Sequence, residues 1–133
     1  MEADLQVIQD NDAGTNGSFI YFLHHEDSFD APAFWRLYDG LVAVAAKRSP
    51  GDVSPAFARS LHRVHGQILS CFIRHLTGEE VLDGFPEHGV LEQYMERLEM
   101  AMDGCFTGVV MDERTWSTIH QLKNPNAHHD GEG

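Results

Sequence analysis

Nine histidines in a chain of 133 residues raise the question of metal binding or acid–base chemistry. Four of them come in two close groups: His24 and His25 in the run HHED, and His62 and His65 in HRVH. On a helix, residues three apart lie about 60° from one another and can share a ligand, whereas direct neighbours diverge by about 100°. His62 and His65 could therefore begin a metal site, and His24 with His25 could not easily do so. The zinc helix HExxH has a different spacing and a glutamate. No Glu-x-x-His pair is present to hold a carboxylate-bridged pair of metals. His65 falls within an apolar arc and His62 at its edge, so both read as core or boundary histidines with hydrogen-bond partners. His24 and His25 suit a helix end, where their rings can meet free carbonyls and oppose the dipole. His128 and His129 stand in the tail, where affinity for a metal would be incidental.

Nucleophilic chemistry is no better supported. Cys71 and His75, four apart, could form a thiolate pair, but both fall on an apolar face, where burial accounts for them. Neither cysteine belongs to a CxxC pair, and two buried thiols in a reducing compartment are expected. The G-x-S-x-G elbow, the P-loop and G-x-G-x-x-G are all absent. Asp10-Asn11-Asp12 invites comparison with a calcium loop. That comparison fails at Gly14, Thr15 and Tyr21, which replace the third ligand, the glycine and the closing glutamate. The expectation is a protein without catalytic residues, metal or cofactor.

Charge is more informative. The formal net charge is −12, unevenly spread. Residues 1–30 carry seven acids and no Lys or Arg, residues 31–78 carry six basic residues against two acids, and residues 79–133 carry twelve acids against three basic residues. Direct nucleic-acid binding needs a basic face and is not expected. A basic protein partner is favoured, with solubility alone as the plain alternative. In LEQYMERLEMAMD, Glu92, Glu96, Glu99 and Asp103 follow the spacing i, i+4, i+7, i+11. On a helix they fall within an arc of about 60°, centred about 110° from the apolar stripe. Each like-charge i, i+4 pair costs about 0.2–0.5 kcal/mol, so some compensation is expected. Three readings stay open: pairing with Arg59, Arg63 and Arg74 of the preceding helix, simple solvation, or a basic partner that docks there.

The elements that must position these residues read as helices. Asp30, with Pro32 in the first turn, starts a helix that runs to about Arg48, its stripe being Phe34, Leu37, Tyr38, Leu41, Val42, Val44 and Ala45. Ser54 and Pro55 start a second, with Phe57, Leu61, Val64, Ile68, Cys71 and Phe72 inward. Leu69, Ile73 and Leu76 widen its arc, which predicts a central helix ending at Gly78. A third spans about Glu87 to Phe106, with Leu91, Tyr94, Met95, Leu98, Met102 and Cys105 buried. A last helix, DERTWSTIHQLK, begins at Asp112 and buries Trp116, Ile119 and Leu122. The opening segment reads as loop through NDAGTNGS. Ser18 then caps a short helix, FIYFLHH, for which a buried strand is the alternative. The fold class is all-α: a bundle of four main helices with a short helix before them, in one domain over residues 1–123. Residues 124–133 read as a disordered tail. The acidic start lacks the pattern of a secretory signal, and no apolar run is long enough to cross a membrane.

One stretch resembles a known family. GSFIYFLHHEDSFDAPAFWRLYDGL, residues 17–41, looks like the start of the bacterial polymorphic-toxin immunity proteins numbered 41, found with contact-dependent inhibition and related systems. The resemblance lies in Ser18-Phe19-Ile20, Leu23-His24, Trp35-Arg36-Leu37 and Gly104-Cys105-Phe106-Thr107-Gly108. These residues set packing rather than catalysis, and Asp112 onward has no counterpart. The resemblance implies a cytoplasmic antitoxin that binds a cognate toxin domain, such as a basic nuclease, and blocks its active site or an essential surface. No family binding residue carries over. The toxin-binding candidates are Glu92, Glu96, Glu99 and Asp103, on charge alone, because acids on a rigid helix can occupy a groove built for phosphates. A small metal- or haem-binding helical protein using His62, His65 or His24 and a dimeric regulatory adaptor are the alternatives. Monomer and homodimer stay equally open.

Overall fold

Short polar residues fix where four of the helices begin. Ser18 Oγ accepts from the Tyr21 N–H at 3.1 Å, Asp30 Oδ1 from Ala33 at 2.8 Å, Ser54 Oγ from Phe57 at 3.1 Å and Asp112 Oδ1 from Thr115 at 2.8 Å. Each satisfies a donor that the first helical turn leaves orphaned. The computed structural model of the chain describes residues 2–47 and 53–127. They form six helices: α1 (Glu2–Ala13), α2 (Phe19–His25), α3 (Ala31–Lys47), α4 (Pro55–Leu76), α5 (His88–Thr107) and α6 (Glu113–Ile119). The protein is all-α, and there is no strand among the described residues. The FIYFL segment is helical. Arg48, expected near the end of α3, lies outside the described residues, as do His128 and His129.

The opening segment corrects the sequence reading. Residues 2–13 are a helix rather than a loop, so the described residues form six helices in place of four main ones and a short first helix. Ile8 is buried in the core, with Leu5 and Val7 packed against it. Asn11 is buried too: its Nδ2 donates to the Val7 carbonyl at 2.9 Å and its Oδ1 accepts from the Ile20 N–H at 3.2 Å. A polar side chain thus ties α1 to α2, and α1 packs on α3 and α4.

The central helix is α3, not α4. It packs against α1, α2 and α5, while α4 rests on α1 and α2. The outer part of the α4 arc stays uncovered, with Ile73 and Leu76 each 58% exposed. The core is closed by aromatic edges. Phe29 lies 5.1 Å from Phe19, 5.0 Å from Tyr94 and 5.8 Å from Phe72, joining α2, α5 and α4 around one ring. Such contacts contribute about 0.5–1.5 kcal/mol each beyond area burial.

The HHED run forms a polar corner between Leu23 and Phe29, both buried. Phe29 N–H donates to the Asp83 carbonyl and Asp83 N–H to the Asp27 carbonyl, each at 2.8 Å, so the corner clasps the α4–α5 loop. At the far end of α5, Gly108 takes a left-handed φ of 78° and closes the helix on the Gly104 carbonyl. A Cβ at Gly104 would stand 2.6 Å from the Val109 carbonyl oxygen and 3.3 Å from Ala45 Cβ, so only glycine fits.

Candidate partner-binding face on α5

The inner side of α5 carries Leu91, Tyr94, Leu98, Met102 and Cys105, as the stripe predicts, and one residue that it does not. Arg97 has no exposed surface. Its Nη1 and Nη2 donate to the two carboxylate oxygens of Glu113 at 2.7 Å each, and Nη2 also donates to the Leu122 carbonyl at 3.0 Å. The guanidinium lies 5.1 Å from the Trp35 ring, 5.2 Å from Trp116 and 5.6 Å from Tyr38. A bidentate, charge-assisted pair inside an aromatic cage has the geometry of a strong buried ion pair. Burial pushes the Tyr38 phenol up, against the lowering pull of the Arg97 charge and of hydrogen bonds to Arg97 and Trp116.

This cage fastens α6 and the residues after it to α5 and α3. Helix α6 ends at Ile119, short of Lys123, because His120 turns extended. Ile119 is exposed rather than buried, whereas Trp116 is buried and Leu122 packs against the core. Residues 124–127, assigned to the tail from sequence, are tied down. Asn124 is buried, its N–H donates to Glu113 at 3.1 Å, and its Nδ2 donates to Asp39 at 2.7 Å. Asn126 Nδ2 also donates to Asp39, at 3.2 Å.

The outer side of α5 presents Glu92, Glu96, Glu99 and Asp103, all exposed. Glu92 pairs with His88 at 2.8 Å on the same helix. Glu96 Oε1 lies 3.3 Å from Nε2 of His120, a buried ring stacked on Trp116. Among the described residues, Glu99 and Asp103 join no hydrogen bond or ion pair. Glu96, Glu99 and Asp103 surround Met100, 38% exposed, in an open hollow of about 440 Å³. Phe106 is exposed one turn beyond Asp103.

The arginines of α4 do not reach this face. Arg63 pairs with Asp12 at 3.0 Å and Arg74 with Glu80 at 2.8 Å. Arg59 is exposed and joins no ion pair among the described residues. Among the described residues, the partners of this face are the rings of His88 and His120, and they reach only Glu92 and Glu96.

The histidines are dispersed. His62 is exposed, and His65 is half-buried with no partner for Nε2, which corrects the expectation that both are hydrogen-bonded. His75 Nδ1 accepts from the Leu82 N–H at 2.9 Å, and no hydrogen bond joins His75 to Cys71 among the described residues. Cys71 instead lies 3.7 Å from His24 Nε2 and receives Arg74 Nη2 at 3.4 Å. Burial pushes its thiol up, against the pull of Arg74, which disfavours the thiolate. His25 stacks on Tyr21. Both cysteines are free and buried. Among the described residues, no three His, Cys, Asp or Glu side chains come together in a group able to hold a metal. No helix of the described residues is long and apolar enough to cross a membrane.

Within Ser18–Gly108, Phe19, Ile20, Leu23, Trp35, Leu37 and Cys105 are buried packing residues, and Phe106 is exposed. Comparison of the chain with family models, with curated proteins and with solved structures returns no match.

Proposed function

We propose that this chain is an immunity protein: a non-enzymatic binding module of the bacterial cytoplasm that neutralises a cognate toxin domain through the outer face of α5. The observation that carries the reading is the pair Glu99 and Asp103, exposed on either side of Met100 and without an ion-pair partner among the described residues. Like charges four residues apart destabilise the helix that carries them by about 0.2–0.5 kcal/mol. An apolar side chain at the centre of an acidic rim matches the anatomy of a docking surface, where an apolar anchor supplies energy and charges supply steering. A basic surface, such as the substrate groove of a nuclease, has the complementary charge. The resemblance of four short elements between Ser18 and Gly108 to immunity proteins is in keeping with the same reading. The protein itself binds no nucleic acid and inserts in no membrane, and it works without metal or cofactor.

A dimeric adaptor is the second reading, favoured by the exposed Ile73, Leu76 and Val81 at the end of α4. Co-expression with the protein encoded immediately upstream separates the two. Rescue of growth from a toxic neighbour supports the immunity function. A neighbour that is harmless alone, together with a dimer in light scattering, supports the adaptor.

A further inference from the structure

The turn between α1 and α2 carries chemistry that does not depend on the α5 face. Asn16 is exposed there and is followed by Gly17. Gly17 adopts a φ of 92°, its N–H donates no hydrogen bond among the described residues, and a Cβ built on it meets nothing within 4 Å. We propose that Asn16 is a site of spontaneous deamidation through a succinimide. The Gly17 backbone nitrogen attacks Asn16 Cγ. An N–Cγ bond forms, the Cγ–Nδ2 bond breaks, and ammonia leaves with the proton from the Gly17 nitrogen. Water then opens the ring at Cγ to give aspartate, or at the main-chain carbonyl to give isoaspartate. The step needs no oxidant or reductant. It needs an unbonded N–H, an open neighbour and a backbone free to pivot, which glycine supplies.

The other three asparagines lack these features. Asn11 is 1% exposed inside α1, with both side-chain polar atoms bonded. Asn124 precedes Pro125, which has no N–H to attack with. Asn126 precedes Ala127, whose N–H is held by the Asn124 carbonyl at 3.2 Å. The turn is also structurally exposed to the product. Gly17 C=O accepts from Arg36 at 3.0 Å, Ser18 N–H donates to Thr15 C=O at 3.0 Å, and Ser18 Oγ caps α2. Isoaspartate lengthens the main chain immediately before that cap, so the modified form holds α2 and its core ring Phe19 less firmly.

The test is timed incubation of the purified full chain at mildly alkaline pH, followed by digestion, mass spectrometry and isoaspartate detection by enzymatic methyl transfer. The expected result is conversion at Asn16 about tenfold faster than at Asn126, given glycine's freedom at the following position, and loss of the isoaspartate signal in Asn16→Gln. Conversion of Asn16 no faster than Asn126 would overturn the proposal. So would an intact Asn16 after a time in which a short peptide of residues 12–20 converts completely.

Discussion

Replacing Arg97 by methionine should be the most damaging single change outside the apolar core. The substitution keeps an unbranched, helix-compatible side chain and removes the guanidinium from between Trp35, Tyr38 and Trp116. Glu113, whose side chain is 12% exposed, then loses both strong donors, and the Leu122 carbonyl loses one. Breaking a buried pair on one side costs about 3–5 kcal/mol, chiefly because the remaining charge loses its strongest partner. Asn124 N–H still donates to Glu113, which holds the expectation to about 3–5 kcal/mol. That is a large part of the stability of a domain this size. Urea unfolding followed by tryptophan fluorescence reads it directly, because Trp35 and Trp116 flank the site. Adding Glu113→Gln to Arg97→Met removes the stranded charge and should recover at least about 1 kcal/mol. A single-mutant loss below about 1 kcal/mol, or no recovery in the double mutant, would refute the argument that this buried pair fastens α6.

Two further outcomes follow from local geometry. Gly104→Ala should destabilise by about 1–3 kcal/mol, because its Cβ meets a backbone oxygen that cannot move without opening the Gly108 turn; thermal melting measures it. Asp112 has its carboxyl held below the usual carboxylate range by hydrogen bonds to the Thr115 side chain and backbone. A group whose folded pKa is depressed stabilises the fold above its unfolded value and loses that contribution as pH falls through the folded value. The first turn of α6 should therefore loosen in acid in the native protein, and Asp112→Asn, which keeps a capping oxygen, should flatten that part of a pH–stability profile.

The helices legible from sequence were those whose apolar period and caps agree. For α3, α4 and α5, a stripe at helical spacing and a Ser or Asp at the start, or a Gly at the end, point to the same element. In α1 they do not: the segment is polar, its large apolar residues are Leu5, Val7 and Ile8, and a buried asparagine supplies part of its contact. Tertiary packing makes that helix, and packing has no signature in the period. The centrality of α4 was misread because an apolar arc reports what could be buried, not whether a neighbour covers it; Ile73 and Leu76 have no cover. At the candidate site, the acidic spacing was readable because helix geometry alone determines it. Arg97 was not, since a cation within an apolar stripe looks like surface until Glu113 and three aromatic rings fold around it. The nearest signal was its position between Tyr94 and Ala101 on the inward face.

The account turns on whether the outer face of α5 docks a basic partner. The direct measurement is the association rate of the co-expressed toxin with the native protein and with the double variant Glu99→Lys, Asp103→Lys. These two acids have no partner among the described residues, so the variant should melt within about 0.5 kcal/mol of the native protein. The account predicts that native association slows as salt rises, and that the variant associates at least about tenfold more slowly at low salt and no longer protects the cell. Native-rate binding and full protection by a correctly folded variant would contradict it.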